Sequence, residues 1–233
     1  MLIELLYAII AGLSDIFGGL LSQYTAIGRI TPRYVIGFAA GILITVTFVE
    51  ILPSLNMSLH SGYILAGFLA FYLIEKLMML HACGEHECKV HRIGGITVFG
   101  MALDNVVDGI GIAVGYTINP FLGLLITVGV VIHEIPQGIA SVTIMRNAKY
   151  TKKKMFSVLV LAGVLYPIGA AISSFIPQNF YLIVLAFIAG DFLYIGASDL
   201  LPEAHRRLNL RVILTVLAGV AFVLLIETLF PGA

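Results

Sequence analysis

Apolar residues gather in eight long runs along this chain, broken by short polar connections. The runs cover approximately residues 2–24, 33–53, 62–80, 95–117, 121–145, 155–175, 180–202 and 211–230. A helix needs about 20 mostly apolar residues to cross the hydrocarbon core of a bilayer, and each run is long enough. Barrel strands would alternate in segments of about ten residues, and nothing here alternates. The pattern predicts an all-α membrane protein with eight transmembrane helices. Connections this short leave no room for a second domain, so residues 1–233 read as a single transmembrane domain.

Composition agrees. The chain is 60% hydrophobic and 11% charged, with a mean hydropathy of +1.04. Soluble domains carry about 25% charged residues, which excludes that class. The formal net charge of +0 conceals a segregation of signs. Arg29 and Arg33 lie between spans 1 and 2, and Lys76, Lys89 and Arg92 around the 3–4 connection. Arg146, Lys149, Lys152, Lys153 and Lys154 lie between spans 5 and 6, and Arg206, Arg207 and Arg211 between 7 and 8. That accounts for all 13 basic residues, every one on the same side. The positive-inside rule makes that side cytoplasmic and puts both termini outside a plasma membrane. Nucleic acid is not an expected partner. Cys83 and Cys88 share one short loop and suggest no disulfide framework. The N-terminus, Met-Leu-Ile-Glu4, lacks the basic region of a signal peptide.

The runs also repeat. Span 2 contains Phe38-x-Ala40-Gly41, then Glu50-Ile51-Leu52-Pro53; span 7 contains Phe187-x-Ala189-Gly190, then Asp199-Leu200-Leu201-Pro202 at the same spacing. Span 3 has Leu65-Ala66-Gly67 and Glu75, answered in span 8 by Leu217-Ala218-Gly219 and Glu227. Spans 1 and 6 match more weakly, through Ala11-Gly12 with Gly18 and Ala162-Gly163 with Gly169. Spans 1–3 and 6–8 run in opposite senses, which predicts an inverted repeat around a central span 4/5 pair. Many secondary transporters build alternating access this way.

Spans 4 and 5 are polar where a bilayer demands hydrocarbon. One reads Asp104-Asn105-Val-Val-Asp108-Gly109, the other His133-Glu134-Ile-Pro136-Gln137-Gly138. An ionised side chain at mid-depth costs about 2.5–3.5 kcal/mol on insertion scales, and neither run supplies a lysine or arginine. On helices, Asp104 and Asp108 share one face, as do His133 and Gln137. Pro136 cannot donate its backbone N–H, so span 5 should kink near residues 132–133. Three carboxylates without a basic partner point to a cation that the chain itself does not carry.

These motifs resemble the ZIP (Zrt/Irt-like) divalent-metal transporters, whose spans 4 and 5 read His-Asn-x-x-Asp/Glu-Gly and His-Glu-x-Pro-Glu/His-Gly. The Phe-Ala-Ala-Gly…Leu-Pro of span 2 and the Leu-Pro-Glu-Ala-His205-Arg206 ending span 7 are similar too. The likeness, to the prokaryotic type, covers nearly the whole chain. It implies an inverted-repeat fold in which spans 4 and 5 hold metal halfway across the membrane. The chain departs from the family pattern at Asp104 (usually histidine), Gln137 (usually Glu or His) and Tyr166-Pro167 (often Glu-Pro). The missing carboxylates lead us to expect one metal, held by Asp104, Asp108, His133 and Glu134, with Asn105 and Gln137 secondary. One imidazole with several oxygens suits zinc, iron(II), manganese and cobalt, and the absence of thiolate argues against copper(I). Asp104 shifts the preference modestly toward iron(II) or manganese. Met101 reads as packing.

Glu50 near the outer end of span 2 and Asp199 near the inner end of span 7 read as entrance and exit acids, with Glu203 and His205 extending the inner mouth. Asp15 and Asp191 lie deeper, and Asp191 should face the pathway. The cytoplasmic loop at about 81–94 carries His81, Cys83, His86, Cys88 and His91, a tract suited to accepting or sensing metal. The expected activity is uptake of divalent cations such as zinc, iron(II) or manganese by alternating access, the repeat helices moving against the span 4/5 pair. The expected partners are metal ions and the lipid bilayer, and small residues in spans 1, 4 and 6 leave a homodimer open. No organic cofactor is expected. The rival readings are an intramembrane zinc protease, from His133-Glu134-x-x-Gln137, and a metal sensor without flux. Gln137 in place of a second histidine, and Pro136 within the helix, weigh against the protease.

Overall fold

The computed structural model describes residues 2–24, 32–83, 93–205 and 209–230. Every regular element among them is helical: α1 (Leu2–Tyr24), α2 (Pro32–Val46), α3 (Met57–Cys83), α4 (Ile93–Ile118), α5 (Pro120–Asn147), α6 (Lys152–Ser173), α7 (Tyr181–Leu193), the short α8 (Leu201–Ala204) and α9 (Leu210–Leu229). Eight of the helical stretches are long and apolar enough to cross a membrane, α2 and α7 being counted with their irregular continuations. Asn119, Thr151 and Asn209 start α5, α6 and α9, each accepting a backbone N–H from the first turn.

One feature has no counterpart in the apolar pattern of the chain. α2 and α7 each end in a π-helical turn, Thr47–Ile51 and Tyr194–Leu200. Pro53 and Pro202 follow at corresponding positions. A proline ring collides with the carbonyl four residues back, here Val49 and Ser198, and both carbonyls lie inside the widened turn. Around Pro136, by contrast, α5 continues as one helix, with Pro136 buried inside it.

Tertiary packing falls into two groups. α1 packs mainly on α5 and α6, and α4 on α6 and α5. α2 packs mainly on α9, and α3 on α7. Sparser contacts through α2–α5, α3–α4 and α4–α7 join the groups. Small residues let the backbones meet, as membrane helices require when lipid offers no hydrophobic drive. Gly41 of α2 lies against the Val216 carbonyl of α9, and Gly190 of α7 against that of Ile64 in α3. Gly219 likewise meets the carbonyl of Phe38, and Gly67 that of Phe187. α5 is the most buried span, at 67%, while α3 and α9, at 11% and 17%, form the rim.

Candidate metal centre

α4 and α5 pack on each other, and each is braced by a further helix of the same group. Gly138 of α5 faces the Asp15 carbonyl of α1, and Gly18 of α1 faces that of Ile135. Gly109 of α4 faces the Tyr166 carbonyl of α6, and Gly169 of α6 faces that of Val106. A side chain at any of these glycines would push the helices apart. Without such side chains α1 seats closely on α5 and α6 on α4.

Asp104, Asp108, His133 and Glu134 converge there, fully buried or nearly so, each offering one ligand atom within 4.8 Å of the others. His133 Nδ1 lies 3.1 Å from the Gly129 carbonyl, which can only accept, so Nδ1 carries a proton and Nε2 is the ring nitrogen turned toward the acids. Nε2 lies 2.9 Å from Glu134 Oε1 and 3.5 Å from Asp108 Oδ2. Asp104 Oδ1, Asp108 Oδ1 and Glu134 Oε2 have no hydrogen-bond partner. Four ligand-type side chains meeting in a buried space form a group that could hold a metal ion. Among the described residues, His133 is the only basic group within ion-pair distance of these acids.

Gln137 and Asn105 sit just behind this cluster. Gln137 Nε2 donates to Asp104 Oδ2 at 3.3 Å and to Asn105 Oδ1 at 3.4 Å, and Asn105 Nδ2 donates to the Ala162 carbonyl at 3.2 Å. Gln137 is therefore engaged as a donor, bracing Asp104, where a protease would need a histidine ligand. Asp191 on α7 is fully buried with both oxygens unpartnered, within electrostatic reach of Asp104, Asp108, His133 and Glu134. Its neighbour Phe192 stacks edge-on to the His133 ring at 6.3 Å.

The remaining candidates lie apart from this centre. Glu50 is half-buried in the π turn after α2, Asp199 is exposed in the one after α7, and Glu203 is half-buried in α8. His205 Nδ1 lies 3.0 Å from the Leu201 carbonyl. His86, Cys88 and His91 fall outside the described residues, as do the side chains of His81 and Cys83. Asp15 and Tyr166, left out of the sequence-derived site, both border the cluster. Packing rather than any sequence signal brings them there: Gly109 and Gly138 close the two polar motifs, and the residues facing them are Tyr166 and Asp15.

Comparison with known proteins places this geometry in context. Residues 80–227 match the family model described as ZIP zinc transporter. Zinc transporter ZupT of Chlorobium limicola is 29% identical over 229 residues, covering 85% of this chain and 86% of that protein. Zinc transporter ZupT of Corynebacterium aurimucosum is 29% identical over 230 residues, covering 85% of each chain. Zinc transporter ZIP13 of Pongo abelii is 27% identical over 220 residues, covering 83% of this chain and 66% of that protein. All are named as transporters rather than enzymes. With eight membrane-spanning helices and its polar motifs on the fourth and fifth, this chain belongs to the ZIP zinc transporter family.

Proposed function

We propose that the chain carries divalent transition-metal cations, zinc foremost, across the plasma membrane into the cytoplasm by alternating access. The observation that carries this reading is the buried cage of Asp104, Asp108, His133 and Glu134, with its unpartnered ligand atoms. Zinc ligands lie about 2.0–2.2 Å from the ion, which sets neighbouring ligand atoms about 3.4 Å apart in a tetrahedral site. A cage spread over 4.8 Å closes on the ion by small rotamer changes. Asn105 and Gln137 orient the ligands from behind. Iron(II), manganese, cobalt and cadmium suit the same donors, so zinc rests on the relatives' names and the others on ligand chemistry.

The matched packing of α2 on α9 and α3 on α7, and of α1 on α5 and α6 on α4, supports an inverted repeat of spans 1–3 and 6–8 within one transmembrane domain. α1 and α6 meet α5 and α4 backbone to backbone, so we assign the motion to whole groups. α1, α4, α5 and α6 carry the ion as one body against α2, α3, α7 and α9. Glu50 serves the outer mouth and Asp199 and Glu203 the inner one; Asp191 faces the ion from the second group. Both termini lie outside, the His/Cys tract at about 81–94 receives metal in the cytoplasm, and a homodimer is open to the rim helices.

Uptake of radioactive zinc into proteoliposomes tests the reading. The wild-type protein should show saturable uptake, and Asp108→Ala should abolish it while remaining folded in the membrane. Retained uptake in that variant would refute the assignment. Binding without uptake in the wild type would make the protein a sensor.

A further inference from the structure

The corner where α5 passes into α6 gathers five of the 13 basic residues: Arg146, Lys149, Lys152, Lys153 and Lys154. All five are exposed. No aspartate or glutamate occurs from residue 135 to residue 190, so the sequence around them offers no acid. Lys76, by contrast, pairs with Glu75 at 2.7 Å. Local bonds fix the turn. The Lys149 N–H donates to the Arg146 carbonyl and that of Tyr150 to the Met145 carbonyl, both at 3.0 Å. Glycine is the customary residue at the left-handed position of such a helix end, yet Lys149 holds it at φ 60°. Tyr150 packs on the buried cluster of Val142, Met145, Met155 and Leu159, and Lys154 Nζ lies 3.9 Å from the centre of its ring. Arg146 donates to the Ser22 carbonyl at 2.7 Å, pinning the end of α1 to the same corner.

The surface that continues from these lysines is apolar. Along α6, Lys153, Ser157, Leu161, Val164, Ile168 and Ile172 recur at steps of three and four, so they share one face, and all six are exposed. In a helix that crosses a bilayer this face meets acyl chains, with Lys153 at its head. A negatively charged headgroup on an apolar tail matches both halves of the surface; a soluble anion matches only one. We propose that this corner docks an anionic phospholipid, its phosphate held by Lys149, Lys152, Lys153 and Lys154 and an acyl chain laid along the exposed face of α6. Orienting a membrane protein requires only that basic residues lie on one side. It requires neither a lysine at a glycine position nor an apolar face aligned beneath the charges. The proposal goes beyond the transport reading and needs neither metal nor flux.

Native mass spectrometry of the purified full-length protein in detergent tests it, with phosphatidylglycerol and phosphatidylcholine of identical acyl chains added in equal amounts. Each lysine near a membrane surface is worth about fivefold in affinity for anionic lipid, so the wild type should prefer phosphatidylglycerol by at least about tenfold. Lys152→Gln, Lys153→Gln and Lys154→Gln combined should erase most of that preference, with folding checked by size-exclusion chromatography. Arg206→Gln, Arg207→Gln and Arg211→Gln combined remove as many charges from the 7–8 connection and should leave it intact. Equal retention of both lipids by the wild type overturns the proposal. So does a preference that survives the lysine substitutions or falls equally with the arginine ones. Raising the ammonium acetate concentration should lower phosphatidylglycerol retention in the wild type, and retention indifferent to salt also overturns the proposal. Excess glycerol phosphate should leave the lipid in place; displacement would make the corner a site for soluble phosphate, and the lipid assignment would fall.

Discussion

Gly138→Ala tests whether the meeting of α1 and α5 sets the geometry of the centre. A β-carbon at residue 138 would collide with the Asp15 carbonyl and lie 2.8 Å from both Asp15 Oδ1 and the Gly19 backbone nitrogen. Two of these three contacts are main chain, so no rotamer change relieves them. Restoring an ordinary 3.4 Å contact at Gly19 requires α1 to retreat by about 0.6 Å, the difference from 2.8 Å, and the Asp15 carbonyl requires more. Overpacking of this kind costs about 1–3 kcal/mol. Thermal challenge in detergent followed by size-exclusion chromatography should show a clear loss of folded protein, and zinc uptake should fall with it. Gly62→Ala in α3 is the control, because nothing lies within 4 Å of the added carbon there. If Gly138→Ala matches Gly62→Ala in both stability and uptake, the close contact does not position the centre.

Other predictions follow from the same geometry. Zinc at about 100 times its dissociation constant should stabilise the wild-type protein by about 2.7 kcal/mol, read as a thermal shift that chelation reverses and Asp108→Ala largely removes. Gln137→Glu replaces the amide that donates to Asp104 with another acid; the metal-free protein should be less stable and its zinc-dependent thermal shift larger. Asn119→Ala removes the acceptor for the Phe121 and Leu122 amides at the start of α5, at a cost of about 1 kcal/mol in thermal stability, and Asn119→Asp should restore it.

Much of the fold was legible because hydrocarbon imposes a length rule that sequence obeys openly. Run 2–24 coincides with α1, Leu2–Tyr24, and spans 5 and 6 need only a few residues of adjustment. The π turns were not legible. Their cause, the rings of Pro53 and Pro202, lies two residues past the end of each turn, and an inserted residue leaves no mark on apolar composition. The buried cluster was legible for the converse reason. Asp104, Asp108, His133 and Glu134 are polar residues in apolar runs at helical spacing, and only their partner across the gap had to be guessed. Asp15 shows where such reading stops. It stood in the sequence as a deep acid, but its place beside Asn105 and Gln137 depends on which face of α5 meets α1. Small residues such as Gly18 and Gly138 decide that, and they look alike in every span.

The rim helix α3 has a further consequence. At 27 residues it is about 40 Å long, against a hydrocarbon core of about 30 Å, and it must tilt or protrude. Its tilt is not independent of the interior. Gly67 and Gly190 fix it backbone to backbone against α7, and Glu75 accepts a hydrogen bond from Tyr194 at the head of the second π turn. α7 in turn holds Phe192 against the His133 ring and Asp191 near the acids of the candidate centre. Bilayer thickness therefore has a mechanical route to the buried cluster. A thicker membrane would draw α3 upright, and α7 would move with it.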